Sequence, residues 1–509
     1  MKGWKIPGNW FRDEKLIFRI SIGIGLLISL LSVVFIYDMY RDCANVYAYA
    51  AREIGSGNFS AGWYGRVPML NILLAAALNF CGVEAFRATV IVSCFFYFVT
   101  LFPLRRFLEE FLTPPAAAWG CLLFATTPKI IRYSTPGLID SCRYFFLIAA
   151  LMYLFRLRER PSWRGGVFFG LSLAGLAVSR GEELFFAVAL LFALPVLTWL
   201  KQPRRSFREG RRGFAVFALA LFVFAAGISP FCTINACRSG IFITDLRIAE
   251  AMFPDCVPHP PPTSESGKTE VESPLEQISD SISDVLRGGY ELYWGFSIIG
   301  VVVLLRRRRW SWEHTLLWGI FLLHTVLYWK VGMTYRYNIY LVPLFMPFTM
   351  TGLGFCCGQL ARVKIPSRIF PLLRLLTPLL LVGVFALHLE NGMKNVFSRD
   401  DRGKREIAKS IRRWGELNMP GRRVRLAATG MPEVVYWSGA YSVFNYEAGY
   451  SDLRDFRDFD LLLIDESRLN EIAGRTDLSP VPTPGWEVWC GSEPFRLYRR
   501  VDLAGRNLP

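Results

Sequence analysis

Residues 16–37 read LIFRISIGIGLLISLLSVVFIY, with one charge, Arg19, near the start. A helix needs about 20 mostly apolar residues to cross a bilayer, and this segment meets that length. No convincing small-residue cleavage site accompanies it, so it reads as an uncleaved anchor rather than a removed leader. Lys2, Lys5, Arg12 and Lys15 precede it, which predicts a cytoplasmic N-terminus. Working outward, similar stretches recur at roughly 86–104, 115–130, 137–155, 164–180, 183–200, 213–231, 290–305, 312–330, 338–357 and 370–389. The expectation is a polytopic, mostly α-helical membrane protein with about eleven transmembrane helices. The apolar stretch 68–82 is shorter and follows Pro68; it reads as an interfacial or re-entrant helix.

The whole chain agrees. Of its 509 residues 52% are hydrophobic and only 20% charged, with 41 Phe and 15 Trp, and mean hydropathy is +0.30. That excludes a disordered chain, which is poor in aromatics, and the size excludes a small disulfide scaffold. The net charge of +16 would suit nucleic acid, but its distribution points to a membrane. The basic clusters RLRER (156–160), KQPRRSFREGRR (201–212) and RRRR (306–309) lie between apolar runs, as in cytoplasmic loops. With Arg105-Arg106 and the 362–374 segment, five loops agree on one orientation. Counting 68–82 as a full span would invert them all. No nucleic-acid partner is expected.

Three segments then fall outside: 38–85, the Pro-rich 232–289, and the tail 391–509. The body is residues 1–390. The tail reads as an extracytoplasmic α/β domain, with a helix at about 402–417, strand-like VRLAA, helix-like PEVVYWSG and a buried-strand run, FDLLLID, ending at Asp465. Cys232, Cys237, Cys256 and Cys490 would lie outside and are candidates for pairing, though spacing proves no bridge.

Charges are costly inside a bilayer, so their placement is informative. Span middles are nearly free of them. Asp42, Asp140, Arg143, Arg180, Glu182, Glu183, Lys330, Arg336 and Glu390 gather instead at the predicted outer ends. A coupled transporter more often carries carboxylates near the midplane. Groups at one membrane–water boundary suit a site that takes a lipid-phosphate headgroup together with a water-exposed partner.

The first outer segment, YRDCANVYAYAAREIGSGNF followed by WYGRVPMLNILLAAAL, resembles the polytopic GT-C glycosyltransferases that use polyprenyl-phosphate sugars. The nearest patterns are protein O-mannosyltransferase-like enzymes and bacterial aminoarabinose lipid A transferases. The matching positions are Asp42, Tyr47, Ala51-Arg52, Gly57, Arg66, Pro68 and Arg87. LIDSCRYFFLIAALMYLF (138–155) is similar to the family's second acidic motif, with Asp140 at the acidic position. GLAVSRGEELFF (175–186) resembles its Gly-Leu…Arg…Glu segment. TYRYNIYLVPLFMPF (334–348) resembles its Arg-Tyr…Pro motif, with Arg336 and Tyr337. Asp42 is followed by Cys43, where relatives often have a second carboxylate.

The resemblance implies a GT-C-like helical body in the bacterial inner membrane, with transfer of a sugar from a polyprenyl-phosphate donor to a lipid, glycan or protein acceptor. Asp42 and Asp140 are the implied catalytic carboxylates. Arg336, Arg66, Arg180, Lys330 and Tyr337 are the implied donor-phosphate groups, with Tyr47 and Arg87 nearby. A divalent metal ion stays open. The chemistry is coherent: a carboxylate can take the acceptor proton, and guanidinium forks can hold phosphate oxygens in pairs. Asp42 as a helix cap, Asp140 as the cap of its span or a partner of Arg143, and Arg336 as an interfacial anchor are the alternatives. At the level of the whole protein, the alternatives are a lipid-linked-glycan transporter or flippase and a non-catalytic assembly protein.

Overall fold

The computed structural model describes residues 13–36, 39–40, 42–63, 65, 67, 69–201, 207–252, 283, 286–287, 291–331, 335–360, 383, 386–394, 402–428, 432–440, 460–465, 486–492 and 495–500. The chain divides into two compact units. One is helical and comprises Met1–Ile36, Ala50–Pro258 and Ser273–Ser398. The other comprises Tyr37–Tyr49, His259–Glu272 and Arg399–Pro509. Tyr64, Arg66, Pro68, Cys256 and residues 361–382, which hold most of the expected last span, lie outside the described residues.

The helical unit contains α1 (Glu14–Phe35), α2 (Ala48–Gly55, from Ala50 on), α3 (Phe59–Gly62), α4 (Met69–Phe80), α5 (Ala85–Glu109), α6 (Pro114–Thr126), α7 (Pro128–Ser134), α8 (Asp140–Glu159), α9 (Trp163–Ser179), α10 (Glu183–Lys201), α11 (Phe207–Ser239), α12 (Leu246–Met252), α13 (Glu291–Arg306), α14 (Trp312–Val331) and α15 (Leu341–Leu360). Side-chain caps start several of them. Asp13 accepts from the Lys15 and Leu16 amides, Glu84 from those of Phe86 and Arg87, and Ser162 from that of Gly165. Among the described residues, four helices, at 14–35, 85–109, 211–239 and 341–359, are long and apolar enough to cross a membrane; four more apolar helices, at 69–80, 163–179, 183–197 and 293–306, are shorter.

The structure differs from the sequence reading at two boundaries. The expected span at 115–130 is two helices, because Thr127 precedes Pro128 and takes an extended conformation (ψ 118°). A residue before proline is driven out of the helical region, and Pro128 then opens α7, where its missing N–H costs nothing. The loop expected from 232 begins later. Pro230 is absorbed within α11, and the helix runs on until Gly240, whose φ of +76° suits a residue without Cβ. Cys232 and Cys237 therefore lie in α11, and both are free thiols.

The crossing of α13 and α15 depends on glycine. A Cβ on Gly300 would collide with the Phe348 carbonyl, and one on Gly352 with the Phe296 carbonyl. Ser297 and Thr349 hydroxyls share a 2.8 Å hydrogen bond at the same crossing, a small-residue contact of the kind that joins helices where burial from water supplies no force.

The second unit contains the one-turn π-helix Cys43–Tyr47, α16 (Arg402–Asn418), β1 (Leu426–Ala428), α17 (Pro432–Ser438), β2 (Leu461–Asp465), β3 (Trp486–Ser492) and β4 (Phe495–Arg500). Its sheet has the order β1-β2-β4-β3. The β1–β2 pair is parallel, and the other two pairs are antiparallel. Ala408, Ile411 and Trp414 project from one face of α16 into a core with Val434, Leu426, Leu461 and Leu497, the spacing of an amphipathic helix on a sheet. The β3–β4 hairpin was not anticipated from the sequence. The π-helix packs against α17.

Candidate functional site

Three segments far apart in sequence converge at the start of α8. Asp140 is the first residue of that helix, with Ile139 at the cap position, so it is not the cap. Arg143 follows one turn later on the same face. Arg180 leaves the end of α9 in an extended conformation (φ −163°, ψ 140°), and Glu183 opens α10. Arg336 and Tyr337 ride on a 3₁₀ turn, Tyr335–Asn338.

Asp140 is 1% exposed, yet its oxygens face two guanidiniums. Its Oδ2 accepts from Arg336 Nη2 at 2.8 Å and Nε at 3.1 Å. Arg180 Nη1 lies 3.7 Å from Oδ1, and the Arg180 guanidinium stacks on the Tyr337 ring at 3.8 Å. Arg143 does not pair with Asp140, although it is the nearest cation in sequence. Its guanidinium pairs with Glu183, donates to the Tyr337 carbonyl at 3.0 Å and covers the Tyr340 ring at 4.1 Å. His324, fully buried, meets Asn338 Oδ1 at 2.8 Å. Asp140, Arg180, Arg336 and Tyr337 are thus brought together.

Glu182 sits in the turn between α9 and α10, 3.1 Å from Arg180. Burial alone would raise its carboxyl, but the guanidiniums of Arg180 and Arg247 hold it below the ordinary carboxylate range. Gly181 beside it is a close-approach position: a Cβ there would stand 2.6 Å from Asp245 Oδ2. Among the described residues, the buried oxygens of this cluster that lack a hydrogen bond include Asp140 Oδ1 and the Tyr144 hydroxyl. A site closed on itself would satisfy them.

The other expected residues fall elsewhere. Asp42, in the second unit, has helical backbone (φ −65°, ψ −35°) and makes no capping hydrogen bond, which removes the helix-cap alternative. Tyr47 is buried in the same π-helix. Arg87 has a bracing contact: its Nη1 donates to the carbonyls of Val33 and Ile36, both at 2.7 Å, at the end of α1. Lys330 lies near the end of α14, and its side chain, like all of Arg66, is outside the described residues. No group of three or more His, Cys, Asp or Glu among the described residues is placed for a metal ion. The carboxylates at α8 are interleaved with guanidiniums, a donor set that does not fit a divalent cation.

His324, Asn338 and Tyr340 were not singled out from the sequence. A signal was present: His324 interrupts an otherwise apolar stretch, and an ionisable residue within a span marks a site or its support.

Residues 65–229 match the model of the dolichyl-phosphate-mannose-protein mannosyltransferase family. No curated protein sequence matches the chain. ArnT from Cupriavidus metallidurans bound to undecaprenyl phosphate has the same fold, at 12% identity and a TM-score of 0.58, over 96% of this chain and 99% of that one. Its apo state gives 13% and 0.59 over the same shares. The Archaeoglobus fulgidus oligosaccharyltransferase, tethered with an acceptor peptide, is similar at 11% and 0.52, over 90% of this chain and 70% of that one. The resemblance to GT-C glycosyltransferases is borne out at the level of the fold.

Proposed function

We propose that the protein is a membrane glycosyltransferase that moves a sugar from a polyprenyl-phosphate donor to a lipid, glycan or protein acceptor at the outer face of the bacterial inner membrane. One observation carries the reading: within an ArnT-like fold, Arg336 and Arg180 converge on one buried carboxylate, Asp140, whose Oδ1 accepts no hydrogen bond. Two guanidiniums so held are ready to take phosphate oxygens as negative charge builds on the leaving group. Because Asp140 faces arginines, its part is to orient them. The resemblance gives Asp42 the role of proton acceptor. Lys330 and Arg66 keep their parts as further phosphate groups, Tyr337 its part through the Arg180 stack, and Tyr47 and Arg87 theirs as supports. Sugar transfer by direct displacement needs no covalent intermediate.

The reading includes the topology: about eleven spans, a cytoplasmic N-terminus, and residues 391–509 as an α/β domain outside. It is supported by the five basic loops that agree on one orientation. The test is chemical. Purified protein is incubated with a panel of radiolabelled polyprenyl-phosphate sugars and membrane extract, and the label is followed. Free polyprenyl phosphate with labelled acceptor is the expected result. Intact donor across the panel, with labelled lipid moved between leaflets, would replace the enzyme with a transporter.

A further inference from the structure

The Arg143–Glu183 pair adjoins the segments that carry Arg180 and Arg336 and has no part in the transfer as described. Both side chains are 1% exposed. An ion pair taken out of water repays its desolvation only when its remaining donors are also used. Arg143 uses Nη1 on the turn that carries Arg336, donating to the Tyr337 carbonyl, and its guanidinium covers the ring of Tyr340, two residues past that turn. Glu183 stands three residues after Arg180, and its amide donates to the Arg180 carbonyl at 3.1 Å. The pair therefore joins the start of α8, the 180–183 turn and the 335–338 turn, which are the three segments that present Asp140, Arg180 and Arg336. His324 holds the same turn through Asn338, and its ring packs at a tilt against Tyr340 with centroids 4.4 Å apart.

We propose that Arg143 and Glu183 form a positioning pair that sets Arg336 and Arg180 at the spacing of one phosphate group, without touching the phosphate. This rests on the reading of the site as a phosphate clamp. Removing either partner alone strands a buried charge. Removing both charges together, in Arg143→Met/Glu183→Gln, leaves a neutral contact of similar size that the fold can accept, but it releases the Tyr337 carbonyl. Errors of about 1 Å in such a constellation cost up to about 10²-fold.

The experiment measures binding of undecaprenyl phosphate to the full-length, detergent-solubilised chain. The free lipid phosphate carries the charge that develops on the leaving group, so its affinity reports on the clamp. Arg336→Lys keeps the charge and loses the fork, and its affinity is expected to fall about tenfold, one charge-assisted hydrogen bond's worth. Arg143→Met/Glu183→Gln is expected to fall by a similar factor while eluting as folded protein. The triple variant should lose less than the product of the two separate factors, because the pair acts in part through Arg336. If the double variant aggregates, Arg143→Lys serves instead: it keeps an ion pair with Glu183, lacks the second N–H for Tyr337, and should lose an intermediate amount. Wild-type affinity in the double variant or in Arg143→Lys, beside a weakened Arg336→Lys, overturns the positioning role. So do fully additive losses in the triple variant, which mark general structural support. Wild-type affinity in Arg336→Lys itself sinks the clamp reading instead.

Discussion

The two ends of α8 carry charges in opposite ways. At its start, Asp140, Arg143 and Glu183 are each 1% exposed and bind residues from distant parts of the chain. At its end, Arg158 pairs with Glu313 at 2.7 Å and covers the Trp312 ring at 3.8 Å, but both charged groups keep contact with solvent. Nearby, Arg105 and Arg106 share Glu109 one turn along their own helix, with Arg106 59% exposed. Half-exposed pairs of the second kind contribute about 0–1 kcal/mol and occur on most protein surfaces. Buried pairs of the first kind are seldom better for stability than apolar residues would be. Three carboxylates and three arginines around one buried corner are what the proposed phosphate clamp calls for, and stability alone gives no reason to keep them.

That contrast can be pressed by substitution. A change that leaves both ends of α8 intact and still removes turnover would separate chemistry from architecture. Asp42→Asn is expected to lower transfer by about 10²–10⁴-fold with expression and donor binding retained; wild-type turnover would strip Asp42 of its role as base. At the buried end, Asp140→Ala leaves Arg336 and Arg180 facing each other, and thermal unfolding should show a loss of about 3–5 kcal/mol. A loss below about 1 kcal/mol would place Asp140 with the solvated pairs. A buried but uncharged network should fall between. Asn235 accepts from Trp63 Nε1 at 2.8 Å and donates to the Ile243 carbonyl at 2.8 Å, so Asn235→Ala should cost about 1–3 kcal/mol. Smallest of all is Arg106→Ala at the exposed end, at about 0.5 kcal/mol or less and shrinking further in high salt.

Much of this was legible beforehand, for identifiable reasons. Hydropathy located the helices because a membrane span must be apolar along its length, and the same rule made Asp140, Arg180 and Arg336 stand out. Hydropathy says nothing of which side chains meet. Arg143, three residues from Asp140, is the natural helical partner, but Glu183 competes for it and Arg336 takes the aspartate. The break at Thr127-Pro128 was visible in the proline and hidden by the unbroken apolar run. The passage of α11 through Pro230 went the other way, since a proline within a span is tolerated where neighbours satisfy the freed backbone. The β3–β4 hairpin escaped notice because its strands mix arginines with aromatics and carry a bulge between Val488 and Cys490, which breaks the alternation that marks a strand.

The central claim is that the guanidinium of Arg336 stabilises the departing phosphate, and steady-state kinetics of Arg336→Lys tests it most directly. An interaction stronger in the transition state than in the ground state lowers kcat when lost, while one equal in both raises only KM. With a competent labelled donor, kcat is expected to fall by about 10²-fold while donor KM rises far less. An unchanged kcat with a raised KM would make Arg336 a simple docking group and would contradict the account.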